Sequence, residues 1–121
     1  MKRNMRLYIQ DILDSIERIE QYTKDIQESD FIKNLQFQDS VLRRFEIIGE
    51  AVKNIPNDFR NSYQDIPWKR IAGLRDVLIH EYFGVNVHRV WKLAKYDLNE
   101  LKQKIIKIKD DLPDSGSLFE K

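Results

Sequence analysis

Apolar residues recur along this chain at spacings of three and four and nowhere alternate, and that period leaves few architectures open. Met5, Tyr8, Ile9, Ile12, Ile16, Ile19, Tyr22 and Ile26 predict one amphipathic helix from about Asn4 to Ile26. Its opposite face carries Asp11, Asp14, Glu17, Arg18 and Glu20. Ser29 is the expected N-cap of a short helical turn around Phe31 and Ile32. A second long helix is expected from Phe37 to Ile55, with Val41, Leu42, Phe45, Ile48, Val52 and Ile55 as its stripe. Gly49 beside that stripe permits close approach of a neighbour, and Pro56 stops the helix.

Residues 56–67 are polar and aromatic and leave room for no more than a helical turn. Pro67 suits the first position of a third helix, which should run to Gly84 as its C-cap. Asn86 then caps a fourth segment through Val87, Val90, Trp91, Leu93 and Ala94. The pattern resumes at Leu98, Leu101, Ile105, Ile106 and Ile108, so this helix is either continuous or bent near Asn99. No glycine-rich phosphate loop and no internal repeat interrupts the pattern. The expected fold is all-α, an up-and-down four-helix bundle with a short extra helical turn. Residues 1–110 should form the domain and 111–121 a flexible C-terminal tail.

A chain of 121 residues with 41% hydrophobic and 34% charged content supports one core. The absence of cysteine excludes disulfides, thiolate metal sites and a cysteine nucleophile. The amino terminus enters an amphipathic pattern directly, without an apolar leader or spanning segment, so a cytoplasmic location is expected, without membrane association.

The third helix carries the feature that points beyond the core. Trp68, Ile71, Ala72, Leu74, Leu78, Ile79 and Tyr82 share one broad face at about 100° per residue, and Arg75 projects near its middle. A buried guanidinium without a partner costs several kcal/mol (~3–5), so Arg75 needs either a structural partner or a functional one. Lys69, Arg70, Arg75, Arg89, Lys92 and Lys95 outnumber Asp76 and Glu81 between Pro67 and Tyr96, although the net charge of the chain is only +1. That local excess fits either a phosphate-bearing ligand or an ordinary solvated face.

These residues carry a resemblance. The run Arg75, Asp76, His80, Tyr82 matches R-x4-H-x-Y, and the chain resembles the HEPN superfamily, specifically the HepT-like ribonuclease toxins. The likeness extends through Ile66-Pro67-Trp68, Ile71 to Arg75, Tyr82 to Val85 and Ile48 to Ala51, covering Met5 to Ile108. Leu74 stands where the family would have methionine, and Asn99 where it often has proline. The first is a volume-conserving exchange; the second weakens the case for a bend.

The resemblance implies a metal-independent endoribonuclease that needs no cofactor and leaves a 2′,3′-cyclic phosphate. His80 would move the protons and Arg75 would hold the scissile phosphate. A two-fold homodimer would bring two copies of each to one cleft. On an ideal helix His80 projects about 140° from Arg75 and Tyr82 within about 20° of it, so His80 would enter such a cleft from the flank. Asp76 would support the imidazole or face solvent. Tyr82 resembles the AMP acceptor of the family, modified by a cognate nucleotidyltransferase antitoxin. The bland readings are an Arg75 ion pair with Glu50, a helix C-terminal role for His80, and Tyr82 as plain core. His88 reads as incidental, and a zinc site from two histidines is not expected. A non-catalytic helical module binding nucleotide or protein through the same basic cleft is the alternative function.

Overall fold

The computed structural model describes residues 4–74, 76–78 and 86–112. Each helix follows from the period read above, with ends set by particular side chains. Helix α1 (Met5–Thr23) begins where Asn4 accepts the Arg6 amide at 2.8 Å. It ends three residues before the expected Ile26. There the Thr23 hydroxyl turns back onto the Ile19 carbonyl at 2.9 Å, and Lys95 donates to the Thr23 carbonyl at 2.8 Å. A cation on the last carbonyls of a helix satisfies orphan acceptors and meets the negative end of the dipole.

Helix α2 (Glu28–Lys33) starts at Gln27 rather than the expected Ser29, because the Asp30 carboxylate accepts the Gln27 amide at 2.9 Å. Helix α3 (Leu35–Lys53) starts two residues earlier than expected, because Asn34 caps it by accepting the Phe37 amide at 3.0 Å. Between them, buried Gln38 donates to the carbonyls of Phe31 and Ile32 at 2.9 and 3.0 Å. The amide therefore closes α2 from within α3.

The 56–67 connection holds one helical turn, α4 (Asn57–Asn61). Helix α5 (Trp68–Ala72) follows, with Pro67 at its N-cap rather than its first helical position. The expected uninterrupted third helix is interrupted by one turn residue, Gly73, which ends α5 although its amide still makes the helical bond to the Lys69 carbonyl at 3.1 Å. Helical backbone resumes at Leu74 and continues over residues 76–78, linked across the break by the Val77 amide to the Gly73 carbonyl at 3.2 Å. The remainder of the expected helix to Gly84 lies outside the described residues.

Helix α6 (Val87–Lys92) begins at Asn86, as expected, and passes through a π-helical turn (Leu93–Asp97) into α7 (Leu98–Asp111). The choice left open by the sequence resolves as continuous helix, with its irregularity ahead of Asn99. Asp111, expected to open the tail, is instead the last residue of α7, and the rest of the expected tail beyond Leu112 lies outside the described residues.

The described residues contain helices and no strand, as the period required. Tyr8 and Asp11 lie beside Glu50 and Asn54, and Tyr22 beside Gln36 and Arg43, so α1 and α3 are antiparallel. Lys95 at the end of α1 and the 2.8 Å pair of Lys102 with Glu20 set the last helix antiparallel to α1 as well. Ile9, Ile12, Ile16 and Ile19 interlock with Val41, Phe45, Ile48 and Val52 and with Leu98, Ile105 and Ile108. Phe31 meets Trp91 at 5.3 Å between ring centroids and closes the upper end. No helix of the described residues is long and apolar enough to cross a membrane.

Gly49 makes a close junction between α3 and α5. A Cβ there would sit 3.3 Å from the Ile71 carbonyl and 3.5 Å from that of Ala72. Substituting Gly49→Val should therefore push α5 away from α3 and lower stability by about 1–3 kcal/mol. Urea unfolding reads this as a lower midpoint; an unchanged midpoint would show that the two helices separate freely.

Candidate active site

The expected site residues fall in sequence between two anchored stretches of the described chain. The lower anchor is Trp68. Its indole Nε1 donates to the carbonyls of Arg60 and Tyr63 at 3.2 and 3.0 Å, tying the first turn of α5 to the connection before it. Arg60 in turn donates from Nε to Ile55 at 2.9 Å and from Nη2 to Val52 at 2.6 Å, closing the end of α3. Lys104 of α7 holds the same connection through the Asp65 carbonyl at 2.8 Å. Tyr63 reaches Asp111 at 3.4 Å; burial first, and then the Asp111 carboxylate, raise its phenol pKa above the ordinary value.

The upper anchor is the start of α6. The Asn86 side chain accepts the Arg89 amide at 3.4 Å, His88 Nδ1 pairs with Glu28 of α2, and Trp91 packs on Phe31. His88 thus joins two helices, a role compatible with its incidental place in the chemistry. Signals for these anchors existed in the sequence, in an aromatic directly after Pro67 and an arginine inside a short polar connection. They name no partner, however, and the carbonyls they serve are invisible to side-chain patterning.

Between the anchors, Leu74 is half-buried and Leu78 is 3% exposed, while Asp76 is exposed and Val77 is 49% exposed. The expected apolar face is therefore confirmed at Trp68, Ile71, Ala72, Leu74 and Leu78. Asp76 stands on the solvent side of the same helix. Arg75, His80 and Tyr82 lie outside the described residues, so the face, cleft and mutual geometry assigned to them stay expectations. Glu50, weighed as a partner of Arg75, is exposed on α3.

The local excess of positive residues needs one correction. Lys69, Arg70, Arg89 and Lys92 are exposed, but Lys95 is directed to the carbonyls of Thr23 and Lys24 and lies 5.8 Å over the Trp91 ring. Lys95 belongs to the end of α1. Linear charge counting missed this because the π-helical turn sets Lys95 toward α1 and away from its basic neighbours.

A helical bundle with this motif position defines a class, and comparison with known proteins gives the class its family. The family model described as "Ribonuclease HepT-like" matches residues 12–108, a span that includes Arg75, His80 and Tyr82. The chain belongs to the HepT-like ribonuclease family. It is 48% identical over 109 residues to "Probable ribonuclease HepT" of Thermococcus cleftensis, covering 90% of this chain and 99% of that one. It is 49% identical over 112 residues, 93% of its length, to a Methanocaldococcus jannaschii protein named "Gamma-glutamylcyclotransferase and putative RNase". The chain spans 50% of that relative's length. No solved structure gives a significant match.

Trp68→Phe removes the Nε1 donor and trims the buried indole to a single ring, so the Arg60 and Tyr63 carbonyls keep only the Tyr63 and Ile66 amides at the foot of the motif helix. The expected loss is about 1–2 kcal/mol, measured as a fall in Tm by scanning calorimetry. A Tm equal to the parent's would remove this hydrogen bond from the anchor.

Proposed function

We propose that this protein is a toxin ribonuclease that cleaves RNA without a metal ion. The family match across the Arg75–Tyr82 segment is the observation that carries the reading. The chemistry suits the residues. His80 takes the proton of a ribose 2′-hydroxyl or gives one to the departing 5′-oxygen, because imidazole titrates near neutral pH. Arg75 holds the scissile phosphate through two parallel hydrogen bonds and offsets the charge that develops on phosphorus. The 2′-oxygen forms the new bond to phosphorus as the 5′-oxygen leaves, giving a 2′,3′-cyclic phosphate and a 5′-hydroxyl.

One imidazole serves poorly as base and acid in the same step. A two-fold dimer supplies a second Arg75 and His80 to a shared cleft, and Val77, 49% exposed beside the motif, is apolar surface available to such a contact. Residues 1–110 act as the ribonuclease domain with 111–121 as a tail, in the cytoplasm. Asp76 assists by orienting the imidazole. A cognate nucleotidyltransferase antitoxin silences the toxin by transferring AMP to Tyr82, by binding it, or by both. The added phosphate would repel RNA and its bulk would fill the cleft.

Purified protein incubated with total RNA in EDTA should give fragments with cyclic-phosphate ends. His80→Ala at equal folding and oligomeric state should lose them, with a fall in rate of about 10²-fold or more. An intact RNA pool after incubation with folded protein whose Tyr82 is shown unmodified by mass spectrometry would overturn the ribonuclease reading.

A further inference from the structure

The last long helix exposes an aromatic ring that the core does not use. Tyr96 is 64% exposed, lies within the π-helical turn Leu93–Asp97, and follows the exposed cations Arg89 and Lys92 at spacings of seven and four residues. In an unbroken α-helix, residues four apart drift by about 40°. The wider i→i+5 turn reduces that drift and brings Lys92 and Tyr96 into one line along the helix. The same turn keeps Trp91, Ala94 and Leu98 in the core. It therefore aligns Lys92 and Tyr96 on the outer face while Trp91, Ala94 and Leu98 stay buried.

Side-chain contacts fix the direction in which that row faces. Lys95 and Lys102 mark the flank toward α1, through Thr23 and Glu20. Lys104 and Asp111 mark the opposite flank, through Asp65 and Tyr63 of the connection that leads into the motif helix. By helical phase Arg89 shares the Lys104 flank, and Lys92 and Tyr96 lie between the two flanks, outermost. The acidic neighbour Glu100 is held by Lys104 at 3.4 Å. Arg89, Lys92 and Tyr96 thus describe a path from the motif side of the bundle over the outer face of its last helix.

We propose that this row is a track for single-stranded RNA, holding the strand that continues from the scissile bond. Arg89 and Lys92 take successive phosphates, and Tyr96 stacks on a base. Interleaved cations and an exposed ring are what a strand with free bases needs, and a duplex, its bases already stacked, offers the ring nothing. This inference rests on the ribonuclease reading for its choice of RNA.

The test uses the full-length protein and a fluorescent single strand of roughly ten nucleotides, fully 2′-O-methylated so that no cyclic phosphate can form. Fluorescence anisotropy should show Tyr96→Ala binding roughly tenfold more weakly, Tyr96→Phe close to the parent, and Lys92→Ala with a salt slope shallower by about one. On the corresponding duplex Tyr96→Ala should have no effect. Equal affinity of parent and Tyr96→Ala for the single strand, failure of Tyr96→Phe to restore binding, or an equal loss on the duplex would each overturn the track. Because the probe cannot be cut, the two readings fail separately. A protein that binds through Tyr96 but never cleaves natural RNA sinks the nuclease alone. One that cleaves it, with binding indifferent to Tyr96, sinks the track alone.

Discussion

The backbone contact at Gly49 is the constraint on which the rest of the structure depends. Ile71 and Ala72 bring their carbonyl oxygens against Gly49, the one place in α3 where no Cβ intervenes. A contact between two backbones has little give, because neither side can change rotamer to absorb an error. The height and tilt of α5 are thereby set relative to α3, and whatever follows Gly73 inherits that setting. Interdigitated leucines would have tolerated more play.

A second device repeats through the bundle. Several helix ends are closed by a long polar side chain from elsewhere: Gln38 on α2, Lys95 on α1, Arg60 on α3, and Lys104 on the connection before α5. Short helices leave a large share of their carbonyls without an intrahelical partner, and a bundle built from elements such as α2, α4 and α5 has many such ends. Serving them from other elements turns local ends into tertiary links. The Lys95 link spans 72 positions of sequence. Fraying of α1 is coupled in this way to the seating of the last helix, which favours one cooperative unit.

The sequence made the interior legible and left the ends obscure. The isoleucine stripe of α1, the Phe45–Ile48–Val52 stripe of α3 and the Leu98–Ile105–Ile108 stripe of α7 all lie in the core where the period put them. Burial of apolar surface is a property of the side chains themselves, so their spacing carries it. Helix ends depend on competition for backbone groups, and there Asp30, Asn34 and Thr23 each moved a boundary by a few residues, while Gly73 interrupts a helix inside its expected span. The exchange of Lys95 from the local excess of positive residues to the end of α1 has the same origin, since the π-helical turn has no signature in the apolar period. As for the site, the motif and its flanks were readable as a family resemblance, and the family match bears that resemblance out. The three-dimensional relation of Arg75, His80 and Tyr82 was not readable, because on an ideal helix Tyr82 falls within about 20° of Arg75 whereas His80 projects about 140° away. A shared cleft then requires a second copy, or departure from helix, that no single-chain pattern encodes.

Charge placement carries one last consequence. A net charge of +1 gives the chain no strong long-range field for drawing in a polyanion. With Lys95 held at α1, the exposed cations flanking the motif among the described residues include Lys69 and Arg70 on one side and Arg89 and Lys92 on the other. Such a small set can neutralise only a few phosphates, so salt should weaken RNA binding far less than it does for a strongly basic nuclease. Affinity must then come from contacts that salt does not screen, and the exposed ring of Tyr96 is one such contact among the described residues. The exposed position of Tyr96 is what a near-neutral protein needs if it is to hold a nucleic acid without the charge of a typical nucleic-acid binder.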